Sequence, residues 1–217
     1  ILSADGNLNT TYTAAVKMLR APYLNTEYLG FNLDSQKSEY QNQLLRQAVN
    51  YGFDREKMMT YLRNGIGIPG TGGFIPKGLP GHQKRSGYTY QPNKARKLLE
   101  IYKSESGNQT PELILSTTAN YLSFCEFIQR ELEKNGLKVN VDVMPEATLR
   151  TARSNGKVDM FRSSWIADYL DAENYLSIFY SKNFAPNGPN YTHFKNEQFD
   201  LWYEQAFTEN NAHEREL

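Results

Sequence analysis

The chain is poor in the residues from which metal and nucleophilic centres are usually assembled. Its single cysteine, Cys125, excludes an internal disulfide and a multi-cysteine metal site. Cys125 lies in an apolar helical pattern, which predicts a buried structural thiol rather than a nucleophile. The three histidines, His82, His193 and His213, stand far apart and at no metal-ligand spacing. Excess charge is absent too: 24 Lys+Arg balance 24 Asp+Glu. That removes the electrostatic footprint expected for nucleic acid or an anionic membrane. No apolar run approaches the about 20 residues a membrane-crossing helix needs, and no leader peptide is legible. There is no nucleophile elbow of the G-x-S-x-G kind, no H-E-x-x-H pair and no P-loop.

What is present is an ordinary globular core with many aromatics. Hydrophobic residues make up 39% of the 217, charged residues 22%, and aromatics 13%, with 15 Tyr. The length suffices for a core of one large domain or two small ones. Tyrosine joins a flat apolar body to a polar tip, which suits both half-buried core edges and adaptable binding surfaces.

The chain opens with a polar, turn-rich stretch over 1–11. Residues 16–23 and 27–33 read as extended segments, with Pro22 marking an edge or bend in the first. Residues 36–51 carry Tyr40, Leu44, Leu45, Ala48 and Val49 at helical spacing. Asp54 reads as the N-cap of a helix that stops at Asn64-Gly65. A Gly- and Pro-rich loop over 66–87 reads as a covering or edge loop. A short helix begins at Pro92, and a buried strand follows at 112–117. The helix over 120–135 buries Tyr121, Cys125, Ile128 and Leu132 and ends at Gly136. A strand at 137–144, a short helix at 145–154 and a strand from Val158 complete a strand–helix alternation. That alternation predicts an α/β fold with a mainly parallel sheet and crossover helices. Residues 183–192 read as an exposed loop and 197–210 as a last helix. The Arg46-Gln47 and Asp54-Arg55 groups read as helix caps and surface pairs.

Residues 158–180, VDMFRSSWIADYLDAENYLSIFY, organise the rest. A strand there carries Arg162 and runs through Trp165 to Asp168 and Tyr169. Ligands of open α/β sheets sit beyond the carboxyl ends of strands. A cation, an aromatic ring and an anion at such an end suit a small zwitterion: one charge for an ammonium, one for a carboxylate, one ring to stack. The bland alternatives are a solvated or capping Asp168, an Arg162 paired to Asp159 or a nearby acid, and a Trp165 wedged in the core. Asp171 is the better cap, which leaves Asp168 free. Asn174 and Tyr175 read as packing and capping residues, and Tyr191, Thr192 and His193 as a rim to the cleft.

Four stretches carry a family resemblance. LLRQAVNYGFDR at 44–55 resembles the helix pair V-R-Q-A-(L/I)-x-x-A-I-D-R, and YQPNKARKLL at 90–99 resembles Y-D-P-x-K-A-K-x-L-L. Ile128, Gln129, Leu132, Gly136 and Val139 match I-Q-x-x-L-x-x-x-G-I-x-V. Asp159, Trp165, Ala167-Asp168-Tyr169 and Ala172 to Leu176 resemble F-D…W-x-A-D-Y-P-D-A-x-N-F-L, with departures at Leu170 and Tyr175. Together, in order and at matching spacing over about 20–210, these resemble the family 5 solute-binding proteins of peptide and nickel ABC importers. The resemblance implies a periplasmic-binding-protein-like type II lobe, with a mixed, mainly parallel sheet and flanking helices.

The same resemblance implies that 1–217 is one lobe, the second, of a two-lobed protein, with 1–25 an edge or hinge-proximal segment and the first lobe lying outside this sequence. Implied further are a peptide ligand bound between lobes, delivery to an ABC permease of the inner membrane, and a periplasmic or extracytoplasmic place with a lipid anchor possible on the full-length protein. By the same resemblance Asp168 receives the ligand's α-amino group and Arg162 its carboxylate, with Trp165 and Tyr169 lining the cleft. Neither a cofactor nor a metal is expected. The other readings are a carboxylate-based hydrolase, and the same fold holding a nickel chelate, haem or sugar.

Overall fold

The computed structural model describes residues 1–21, 23–83, 87–209 and 211. Pro22, His213 and the expected end of the last helix at Asn210 lie outside the described residues. The alternating segments form the four strands β1 (Asn25–Phe31), β2 (Glu112–Thr117), β3 (Lys138–Val143) and β4 (Met160–Ile166), in sheet order β1-β4-β2-β3. β2 is parallel to both β3 and β4, and β1 is antiparallel to β4. The sheet is therefore mixed, with one antiparallel pair among the described residues, at the β1 edge.

Eight α-helices accompany the strands among the described residues: α1 (Ser38–Gln41), α2 (Gln43–Gly52), α3 (Arg55–Arg63), α4 (Pro92–Ser106), α5 (Leu122–Glu133), α6 (Glu146–Ser154), α7 (Ala172–Leu176) and α8 (Glu197–Thr208). Asp54 caps α3 by accepting from Lys57 N at 3.0 Å. Asn64 ends that helix in the left-handed region at φ 52°, as the Asn-Gly pair predicts. Gly136 ends the α5 segment at φ 88°.

Two cores result. The larger joins α2, α4 and α5 to β2 and β3 through Leu45, Val49, Leu99, Leu115, Leu132 and Val139. The smaller lies on the other side of β4, where Leu149 of α6 meets Val158, Phe161 and Tyr28. Alternation along β4 sends Met160 and Arg162 to the first side and Phe161, Ser163 and Trp165 to the second.

Several expectations are overturned. Among the described residues, 16–21 and 23 form no strand, and Leu19 is left 83% exposed, since Lys17 and Arg20 interrupt any apolar face. The helix expected over 36–51 breaks at Asn42, whose side chain turns to cap α2 by accepting from Leu44 N and Leu45 N. The helix from Pro92 is long, at 15 residues. The 183–192 loop is not exposed throughout, because Asn190 is fully buried and donates to Tyr180 O and Phe194 O. Arg55 is not a surface pair: it donates to Asn50 O at 2.7 Å, lies over the Phe53 ring at 4.1 Å, and burial lowers its pKa to about 10. The Gly/Pro-rich loop is a cover, as expected. Its Phe74 packs against Tyr28, Tyr175 and Phe179 on the second side of the sheet.

Candidate ligand-binding site

The site is built where β4 outruns β2. The last β2–β4 partners are Ser116 and Phe161. Beyond them β4 continues to Ile166 with only β1 beside it, as far as the Asn25–Ile166 pair. Ala167 N then donates to Leu24 O at 3.1 Å, which carries the ladder one step further before the chain bends. The gap left where β2 ends is a strand-end crevice of the kind that holds ligands in open sheets.

At the far end of β4, Asn174 organises the turn. It is 4% exposed, and its Oδ1 accepts from Trp165 Nε1 at 2.9 Å and from Asp168 N at 3.3 Å. Asp171 caps α7 by accepting from Glu173 N at 2.9 Å. The Asp168 side chain is thereby left out of the local network. It is exposed, and its carboxylate accepts no hydrogen bond and joins no ion pair among the described residues. Tyr169 is 52% exposed and its hydroxyl donates to Glu173. Its proton is held more tightly than an ordinary phenol's, chiefly because of that carboxylate.

The expected cluster is split by strand geometry. Trp165 and Arg162 are an odd number of residues apart on an extended strand, so they point to opposite sides. Trp165 is half-buried on the second side, opposite Thr26. Arg162 lies on the first side, where it pairs with Glu27 and its guanidinium covers the Tyr121 ring at 3.0 Å. Its partner is not Asp159, because Lys37 and Ser35 occupy that carboxylate at 3.0 and 2.6 Å. Antiparallel pairing of Leu29 with Arg162 and Glu27 with Ser164 places Glu27 diagonally beside Arg162 instead.

Beside the free edge of β4 lies a cavity of about 210 Å³, lined by Thr118, Arg150, Arg153, Arg162, Ser163 and Ser164 among others. Arg153 comes from α6, donates to Ser163 Oγ and lies over the Tyr191 ring at 4.2 Å. Its Nε, the Arg162 Nε and the Thr118 Oγ1 are buried without a hydrogen-bond partner among the described residues. Sequence reasoning missed Arg153 and treated Asn174 as a packing and capping residue. The available signal was Arg153 five residues before Val158, on a short helix that must return to the same strand. Of the expected rim, Tyr191 reaches this region through Arg153. His193 instead stacks on Phe184 at 4.8 Å.

Comparison with known proteins follows the same outline. The chain is 28% identical over 207 residues to the glutathione-binding protein GsiB of Escherichia coli K12, covering 92% of this chain and 40% of that protein. It is 26% identical over 204 residues to heme-binding protein A of Haemophilus influenzae, covering 92% and 37%. The chain thus spans about 40% of the length of the curated relatives it matches. Among solved structures, the periplasmic binding protein DppA of Helicobacter pylori, in complex with the peptide STSA, superposes with a TM-score of 0.78. The sequence identity is 24%, and the match covers 89% of this chain and 38% of that one. The fold is therefore the type II periplasmic-binding-protein-like α/β arrangement with a mixed sheet and flanking helices. The model of bacterial extracellular solute-binding proteins, family 5 Middle, matches residues 3–187, and the chain belongs to that family.

Proposed function

We propose that this chain is one lobe of a two-lobed solute-binding protein that serves an ABC importer, and that its ligand is a peptide held in the cleft between the lobes. The Asp168 carboxylate carries this reading. It stands exposed at the end of β4 with no partner among the described residues, while Asn174 fixes the backbone beneath it. A peptide's α-ammonium supplies the missing partner. Trp165 and Tyr169, next to it in the chain, give the first side chains an aromatic wall. The ligand's carboxylate end lies toward the cationic cavity that Arg162 lines. GsiB binds glutathione and the DppA structure holds the peptide STSA, which favours peptides over haem.

Closure of the first lobe by a hinge would shield the Asp168–ammonium contact from water, with residues 1–25 near the hinge. The full-length protein then works outside the cytoplasm, free or lipid-anchored, and passes its peptide to a membrane permease. Among the described residues no helix is long and apolar enough to cross a membrane, so the permease is a separate partner in this reading.

Calorimetry of the full-length protein with short peptides, including Ser-Thr-Ser-Ala, tests the proposal. A shielded charge-assisted hydrogen bond contributes roughly 1.5–3 kcal/mol. Asp168→Asn should therefore weaken binding by about tenfold to a hundredfold. Unchanged affinity would remove Asp168 from the site, and absence of any peptide binding would overturn the peptide reading.

A further inference from the structure

The half-buried Glu173 carboxylate on α7 joins no ion pair among the described residues. Two phenols satisfy it instead: Tyr169 donates to its Oε2, and Tyr203 of α8 donates to its Oε1. A carboxylate drawn from water needs such donors, and hydrogen bonds to an ionised acceptor are the stronger kind. The two tyrosines differ in their surroundings. Tyr203 is 6% exposed and sits in a group of rings, with Tyr180 at 4.6 Å, Phe207 at 5.3 Å and Phe199 stacked at 6.1 Å. Phe199 reaches on to Phe179 and Phe194. Asp200 ties α8 down as well, by accepting from Ser181 N at 3.0 Å. Tyr169, directly after Asp168, is half exposed, and its outer end is tied to the fold through Glu173. One carboxylate therefore joins a ring that is free to move to a ring that is not.

We propose that Glu173 is a positioning residue for ligand recognition: it couples Tyr169 to the α8 ring group through Tyr203 and so holds a preformed aromatic face that selects an aromatic side chain near the ligand's amino end. The inference rests on the peptide reading for the ligand, and on the contacts of Glu173 alone for the coupling. The physical gain is preorganisation. A side chain that must be immobilised during binding costs affinity, and one already held does not. Glu173 touches no ligand in this arrangement and acts only through the tyrosine.

The full-length protein is titrated calorimetrically with Ala-Ala-Ala, Phe-Ala-Ala and Ala-Phe-Ala. Wild type should favour Phe at the first or second position by about tenfold. Glu173→Gln and Tyr203→Phe should each cut that preference roughly threefold to tenfold while changing Ala-Ala-Ala affinity little. Tyr169→Phe keeps the ring but loses the hydroxyl, so the preference should fall equally, and adding Glu173→Gln to it should do nothing further. A purely structural Glu173 would give independent losses in the double variant, and that result overturns the proposal. So does an unchanged preference in Glu173→Gln, or wild type that binds all three peptides alike. The coupling is also read without ligand. Difluorotyrosine is placed at residue 169, where fluorine brings the phenol's ionisation nearer neutral pH, and is titrated by fluorine NMR. Glu173→Gln should move that titration to lower pH, with the neighbouring Asp171 still in place. An unmoved titration overturns the coupling whatever binds. A moved titration with no peptide binding would sink the peptide reading and leave Glu173 as the residue that positions Tyr169.

Discussion

At the residue scale, Asn174 links the scaffold to the candidate site. Its one carbonyl oxygen holds both the Trp165 indole and the Asp168 backbone. Asn174→Leu keeps the volume but leaves two donors without an acceptor in a region only 4% exposed at residue 174. An unsatisfied buried donor costs about 1–3 kcal/mol, so urea unfolding should show a loss of that order. Peptide affinity should also fall, because the turn that presents Asp168 loosens. The sequence marked Asn174 as a packing and capping residue, which describes half of its work. The acceptor role depends on α7 folding back over β4, and spacing along the chain does not encode that approach. The partner of Arg162 was hidden for a similar reason: Glu27 is far away in sequence and becomes a neighbour only through the β1–β4 register.

At the element scale, the β1–β4 pair is the least replaceable part of the sheet. Gly30 of β1 faces Phe161 of β4, and a Cβ at Gly30 would lie 2.4 Å from the Phe161 ring. That ring is fully buried and has no space to yield. Alanine lowers the backbone entropy cost by about 0.5–1 kcal/mol relative to glycine, whereas overpacking a filled core costs about 1–3 kcal/mol. The clash wins, so Gly30→Ala should lower stability in urea unfolding. It should also disturb ligand binding, since the same pair carries Trp165 and the edge of the cavity. Strand 112–117 and the α5 segment were legible from composition because each buries a continuous apolar stripe. The break at Asn42 was not, because the apolar spacing continues across it while the side chain caps a new helix.

At the scale of the whole molecule, burial and local pairing raise several proton affinities together. Burial pushes up the Cys125 thiol and the Tyr28 and Tyr175 phenols, and Asp159 raises Lys37. Each group holds its proton more tightly when folded. The corresponding stability is fully present below the unfolded values, from about pH 9 for the thiol to about 10.5 for the lysine. It is lost as pH rises through the folded values. Urea midpoints should therefore be flat between pH 7 and 8.5 and fall from pH 9 to 11. A midpoint that rises over that interval would contradict the buried assignments. Lys37 contributes least to the fall, because its side chain is 57% exposed and screened by solvent.

The local sequence determined the strand–helix alternation, the caps at Asp54 and Asn64 and the cover loop, because these follow from periodicity and turn chemistry within a few residues. Four dispersed motifs also carried the family. Only the tertiary structure decided that Glu27 neutralises Arg162, that Asn174 holds Trp165, and that Arg153 stands beside the crevice without a counter-ion among the described residues. Those outcomes depend on register and on the crossing of distant elements, where two atoms meet because the whole sheet places them together.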